Sequence, residues 1–157
     1  MRISPVADFD VDIDIKRLIK EYTLNIKDLM ADAIGNNAVL VQKKFHIIRN
    51  DVKSELLNNM PYTMEIAEKV KNKFKYKDMT YRIVMPNTAY NWHYDVGIIC
   101  YHIPLISNDG CHFVYENERS YTMPPGKLYF VHNGIPHTFV NAGKEPRLHI
   151  TFETLNV

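Results

Sequence analysis

The chain has 157 residues, 46% of them apolar and 24% charged, which suits one globular domain with a real core. Nineteen basic against eighteen acidic side chains leave a formal charge of +1, so no bulk field draws the chain to nucleic acid or to an anionic membrane. No apolar run reaches the roughly 20 residues that span a bilayer, and Asp8, Asp10, Asp12 and Asp14 fill the stretch where a secretion signal would be apolar, so a cytoplasmic location is expected.

The first half reads mostly helical. Ile15, Leu18, Ile19 and Tyr22 repeat at helical spacing, and Ile26, Leu29, Met30 and Ala33 do so again before Gly35 stops the pattern. Ala38 to Ile48 leans towards a strand. A third helix follows, with Asn59 as its expected cap, Pro61 in its first turn and Ile66, Ala67, Val70 and Phe74 on one face. Its lysines, Lys69 to Lys77, read as a solvated face with Glu65–Lys69 and Glu68–Lys71 pairs, the other reading being a patch for an acidic partner or nucleic acid.

After Asp78 the texture changes to short Tyr-, Ile-, Val-, Phe- and Thr-rich segments separated by turn clusters. Strands are expected near 80–86, 98–105, 111–116, 119–123, 127–132, 136–141 and 146–154, with turns such as Asn108-Asp109-Gly110 and Pro124-Pro125-Gly126 between them. No helical pattern separates these strands, which argues against a parallel sheet. The expected fold is α+β, mainly β, in a single domain. Residues 1–77 would supply flanking helices and one or two strands, and residues 78–157 the antiparallel core.

Histidine placement carries the chemistry. His93, His102, His132, His137 and His149 fall in or beside these strands. In an extended segment residues i and i+2 point the same way, so His93 and Asp95 can converge on one ion. A second imidazole from a distant strand would complete a facial two-histidine, one-carboxylate site with three open positions. The bland reading of the same step is a surface histidine whose tautomer a carboxylate sets. Arg147 follows His137 by ten residues. If a short hairpin joins their strands, Arg147 stands beside His137, where its fork can hold a dicarboxylate.

Taken together, Tyr81-Arg82-Ile83-Val84-Met85-Pro86, the His93 step, Cys100-Tyr101-His102-Ile103-Pro104, Gly110-Cys111, the Pro125-Gly126-Lys127 turn, His137 and Arg147 resemble, in order and spacing, the Fe(II)/2-oxoglutarate-dependent oxygenases of the aspartyl/asparaginyl β-hydroxylase-like group. The resemblance covers about residues 80–153. It implies a double-stranded β-helix, or jelly roll of the cupin type, with iron held by His93, Asp95 and His137. It also implies 2-oxoglutarate bound through Arg147, O₂ as co-substrate, and His102 touching co-substrate or substrate. The implied reaction is hydroxylation of an amino acid, free or in a peptide. Two rivals remain open at this stage: a cupin-type metalloprotein without 2-oxoglutarate, and a non-catalytic module that binds a small carboxylate.

Four further residues border the expected pocket: Arg82, Trp92, Cys100 and His149. His149 alternates with apolar neighbours and so points inward with His102. Trp92, with Tyr90 and Tyr94, walls the pocket or is plain core. The family often has arginine where this chain has Cys100. A neutral thiol cannot hold a carboxylate, so the substrate end facing Cys100 is expected to be uncharged or met by another group such as Arg82.

Overall fold

The computed structural model describes residues 6–31, 42–116 and 119–155. Eleven strands and two α-helices are present among them: β1 (Val6–Phe9), α1 (Ile15–Ala31), β2 (Gln42–Arg49), β3 (Val52–Lys53), α2 (Pro61–Lys73), β4 (Asp78–Val84), β5 (Thr88–Ala89), β6 (Ile98–Ile106), β7 (Cys111–Tyr115), β8 (Ser120–Tyr121), β9 (Leu128–Val131), β10 (His137–Asn141) and β11 (Arg147–Leu155). Two antiparallel sheets form, a large one in the order β1-β9-β6-β11-β4-β2-β3 and a small one in the order β5-β10-β7-β8. This is the expected jelly roll with helices added. No described helix is long and apolar enough to cross a membrane.

Alternation along the large sheet separates two environments. Phe45, Ile47, Met79, Tyr81, Ile103, Ile150 and Phe152 pack in one cluster with Leu18, Tyr22 and Leu29 of α1 and Ile66 and Val70 of α2. The helices therefore cover the outer face of the sheet. A smaller apolar cluster, with Val84, Phe113, Tyr115, Val131 and Phe139 among its members, fills part of the space between the sheets. Other residues of the large sheet on that face are polar: Arg82, His102, Arg147, His149, Thr151 and Glu153. One part of the sandwich is an apolar core, and another is a polar cavity.

Several local expectations are revised. The two helical patterns before Gly35 merge into the single α1, whose N-cap is Asp14, its Oδ1 accepting from Arg17 N at 3.2 Å. Gly35 and the expected strand start at Ala38 lie outside the described residues. Three strands precede Asp78, one more than the one or two expected, and all join the large sheet. The third of them follows a two-residue turn, Asn50-Asp51, with φ of 49° and 65° as a tight hairpin requires.

Asn59 does not cap α2. It closes a 3₁₀ turn over Glu55–Asn59, and the cap position falls to Met60, which offers no side-chain acceptor. Glu21 of α1 supplies the acceptors instead, its carboxylate taking Tyr62 N at 2.8 Å and Thr63 N at 2.6 Å. Nor do the lysines of α2 pair within the helix: Lys71 binds Asp51 and Lys53 binds Glu68, tying α2 to the β2–β3 hairpin.

Candidate metal centre and cavity

The segment after β5 runs beside the approach to β10. His93 forms an isolated antiparallel bridge with His137, and Asp95 N donates to Asn133 O at 2.8 Å. This pairing brings three side chains together. Ligand atoms of His93, Asp95 and His137 all lie within 4.8 Å of one another. His137 is 2% exposed, while the His93 and Asp95 side chains are open to solvent at 42% and 34%.

The donor set suits a divalent ion. Nδ1 of His93 donates to Asn91 O and Nδ1 of His137 to Ile135 O, each at 2.7 Å. A carbonyl can only accept, so both protons sit on Nδ1 and both Nε2 lone pairs are free for a metal. Burial also lowers the His137 pKa, which favours the neutral, ligating form. Asn133 Nδ2 donates to Asp95 Oδ2 at 3.2 Å and orients the carboxylate. Adjacent ligands about 2.1 Å from an ion stand about 3 Å apart, so the partly exposed His93 and Asp95 side chains would rotate inward to meet one.

These three residues line a cavity of about 310 Å³ that extends to Arg147, His102, Cys100 and Arg82. Arg147 arrives by a different route from the one expected. The β10–β11 connection crosses from one sheet to the other: β10 pairs with β5 and β7, whereas β11 lies between β6 and β4. Arg147 therefore faces His137 across the sandwich and does not stand beside it on a shared hairpin. Its guanidinium lies 4.0 Å from the centre of the Phe139 ring, and Phe113 packs against both Phe139 and the His137 ring. Arg147 is 2% exposed, and its Nε has no hydrogen-bond partner. Among the described residues no carboxylate lies within ion-pair range of it. Burial depresses its pKa to about 10, so the cation persists at neutral pH.

Beside Arg147 runs a buried polar chain. Cys100 Sγ lies 3.3 Å from His102 Nε2, and His102 Nδ1 lies 3.2 Å from His149 Nδ1. Burial first, and Arg147 next, push both imidazoles well below the usual histidine value, so both are neutral. Burial lifts the Cys100 thiol to about 12 and keeps it protonated. His102 and Cys100 reach the cavity, and His149 sits behind His102. Arg82 reaches it too, bound to Glu153. Trp92 does not: it is 56% exposed and lies outside the cavity lining, because in an extended segment it points opposite to His93. Three polar lining residues escape sequence reasoning, Asn133, Lys44 and Glu153, as do the apolar Ile98, Phe113 and Phe139. Asn133 reads as a plain turn residue, and nothing in the local pattern around Lys44 or Glu153 marks an inward charge.

Residues 19–156 match the family model of the aspartyl/asparaginyl β-hydroxylases. The chain belongs to that family. The match reaches well upstream of residue 80, so α1, β2 and α2 are part of the family unit and not an unrelated addition. No curated protein sequence matches the chain. Among solved structures, the fold is similar to a prolyl-4-hydroxylase from Pseudomonas putida, at 13% identity and a TM-score of 0.58 over 97% of this chain and 92% of that one. It is also similar to an oxidoreductase of the 2OG-Fe(II) oxygenase family from Burkholderia pseudomallei, at 13% identity and a TM-score of 0.64 over 96% of this chain and 84% of that one. Membership of this hydroxylase family makes the chain an oxidoreductase of the oxygenase type.

Proposed function

We propose that this hydroxylase-family protein is an Fe(II)- and 2-oxoglutarate-dependent dioxygenase that hydroxylates an amino acid, free or within a peptide. The observation that carries the reading is Arg147. A guanidinium buried to this degree without an acidic partner is costly, and it shares one cavity with a cluster suited to a divalent ion. A 2-oxoglutarate dianion answers both needs, one carboxylate for the arginine and a keto-acid end for the metal. Neither rival answers both: a cupin without 2-oxoglutarate leaves Arg147 without a counter-ion, and a module that only binds a small carboxylate gives the His93, Asp95 and His137 cluster no role.

Bound iron, with O₂ and 2-oxoglutarate, supplies the oxidising power that converts a C–H bond to C–OH while 2-oxoglutarate becomes succinate and CO₂. The chain's own residues supply position. His93, Asp95 and His137 would hold the iron as a two-histidine, one-carboxylate set, a donor set that leaves room for co-substrate and O₂. Arg147 would pair with the far carboxylate of 2-oxoglutarate through its guanidinium. Phe113 and Phe139 line the stretch between the cation and His137, where they exclude water and strengthen the charge pair. Neutral His102, both of its nitrogens engaged by Cys100 and His149, gives the cavity a fixed wall without adding a further charge.

Anaerobic titration of the protein with Fe(II) and then 2-oxoglutarate tests the reading. A weak visible charge-transfer band that saturates with 2-oxoglutarate is expected. Iron binding without that band would instead favour the plain cupin.

A further inference from the structure

Lys44, Arg82 and His149 stand in register on β2, β4 and β11. Arg82 does not stay in that row. Its side chain runs along the sheet to Glu153, on the same face of β11 as His149, and Nη2 donates to Oε1 at 2.7 Å. The Arg82 and Glu153 side chains are 14% and 30% exposed, and both line the cavity that holds the metal cluster. The pair does not satisfy the arginine. Arg82 Nε is buried without a partner, and so is Thr151 Oγ1, which lies between His149 and Glu153 on that face. A guanidinium has five donors in a planar fork, and here one carboxylate oxygen engages it.

The charge on the cavity wall points the same way. Lys44, Arg82 and Arg147 face Asp95 and Glu153, one cation in excess, with His102 and Cys100 neutral. Under the function proposed above, divalent iron and the 2-oxoglutarate dianion cancel each other. The excess cation therefore persists when both are bound. Arg147 is then occupied, and the charge left over belongs to the Arg82–Lys44 side. Lys44 is solvent-exposed there, which leaves that side open to an incoming ligand.

We propose that Arg82, oriented by Glu153 and assisted by Lys44, is a second anion subsite that takes a free carboxylate of the substrate. The substrate is then an amino acid whose α-carboxylate is not in a peptide bond. The inference rests on the dioxygenase reading and sharpens it. It also places the carboxylate contact on β4, where Cys100 on β6 provides none.

The test uses the full chain loaded with Mn(II) and 2-oxoglutarate. Its probes are the 20 L-amino acids and their α-carboxamides, with binding read by calorimetry. At least one acid should bind about tenfold or more tightly than its amide, the size of one charge-assisted pair. Arg82→Gln should abolish that preference while 2-oxoglutarate affinity stays within about threefold. Arg147→Gln should do the reverse. If Arg82→Gln does not fold, the double variant Arg82→Met/Glu153→Met, which removes both charges together, carries the same expectation. Equal binding of acids and amides, binding of neither, or a preference that survives the loss of Arg82 overturns the subsite and leaves the dioxygenase reading standing. A wild-type protein that binds no 2-oxoglutarate overturns both.

Discussion

His93 and His137 exchange both backbone hydrogen bonds, His93 N donating to His137 O at 3.1 Å and His137 N to His93 O at 2.8 Å. Residues paired in this way project their side chains on the same face, and the two rings lie 4.5 Å apart. The candidate metal centre is therefore built by main-chain pairing across two segments 44 positions apart, and the side chains inherit their convergence from it.

From this follows the first prediction. His93→Ala, Asp95→Ala and His137→Ala should each lose Fe(II) or Mn(II) binding and turnover, while the far-ultraviolet circular dichroism of the sheets is retained. Asn133→Ala leaves the three ligands in place but frees the Asp95 carboxylate. It should weaken metal affinity about ten- to a hundredfold, as loss of an orienting partner does elsewhere. Metal titration of the purified variants checks this, and wild-type affinity in His137→Ala would remove the site.

A second expectation concerns Arg147. Arg147→Lys keeps a charge but loses the fork, and Arg147→Ala loses both. A charge-assisted pair in a partly dry cavity is worth about 1.5–3 kcal/mol, so the alanine variant should bind 2-oxoglutarate roughly ten- to a hundredfold more weakly. Lysine should fall between alanine and wild type. Calorimetric titration with 2-oxoglutarate in the presence of Mn(II) measures all three. An unchanged dissociation constant in Arg147→Ala would detach the arginine from the co-substrate.

The strands after Asp78 were legible because period-two alternation and turn residues are local signals, and β6, β7, β10 and β11 lie close to their expected limits. The three candidate ligands were legible for a different reason, a family pattern in order and spacing. Partnership was not legible. Whether β11 pairs with β10 or with β4 and β6 depends on which sheet each strand joins, and the five-residue link from Ala142 to Pro146 fits either answer. Glu153 was missed because its significance lies in reaching Arg82 from a neighbouring strand. Likewise, Asn59 is a good local cap residue, yet the first turn of α2 is satisfied by a carboxylate from a different helix.

That remote cap yields a stability prediction. Glu21 accepts from Tyr62 N, Thr63 N and Thr63 Oγ1, and Thr63 Oγ1 continues to Tyr81 Oη at 2.9 Å. One side chain thus joins α1, the start of α2 and β4. Glu21→Ala should leave orphaned donors at a half-buried helix end and destabilise the fold by about 1–3 kcal/mol. Glu21→Gln keeps one acceptor and should lose less. Urea unfolding of the two variants separates the cases, and a wild-type midpoint for Glu21→Ala would show that water replaces the cap.

The last prediction comes from the His102–His149 pair. Both imidazoles are buried, at 3% and 1% exposed, and share one hydrogen bond between Nδ1 atoms 3.2 Å apart. Burial and the nearby Arg147 cation hold both pKa values well below the usual 6.5, so the folded protein keeps both rings neutral. In the unfolded chain the same rings titrate near that usual value. Below it the unfolded state binds protons that the folded state does not, and stability rises with pH wherever this holds. The stabilising difference is therefore fully present above about pH 6.5 and is lost progressively as pH falls from there towards the depressed folded values. Each histidine contributes a limiting slope of about 1.4 kcal/mol per pH unit. His46 and His137, lowered chiefly by burial, add to the same acid limb. Urea unfolding of the metal-free protein between about pH 8 and pH 5 should show a plateau followed by this decline. His149→Gln, which keeps a polar partner for His102 but removes one titrating ring, should make the limb shallower by about one proton. A slope identical to wild type in that variant would mean that His149 already carries its proton in the fold. The neutral environment assigned to the wall beside Arg147 would then be wrong.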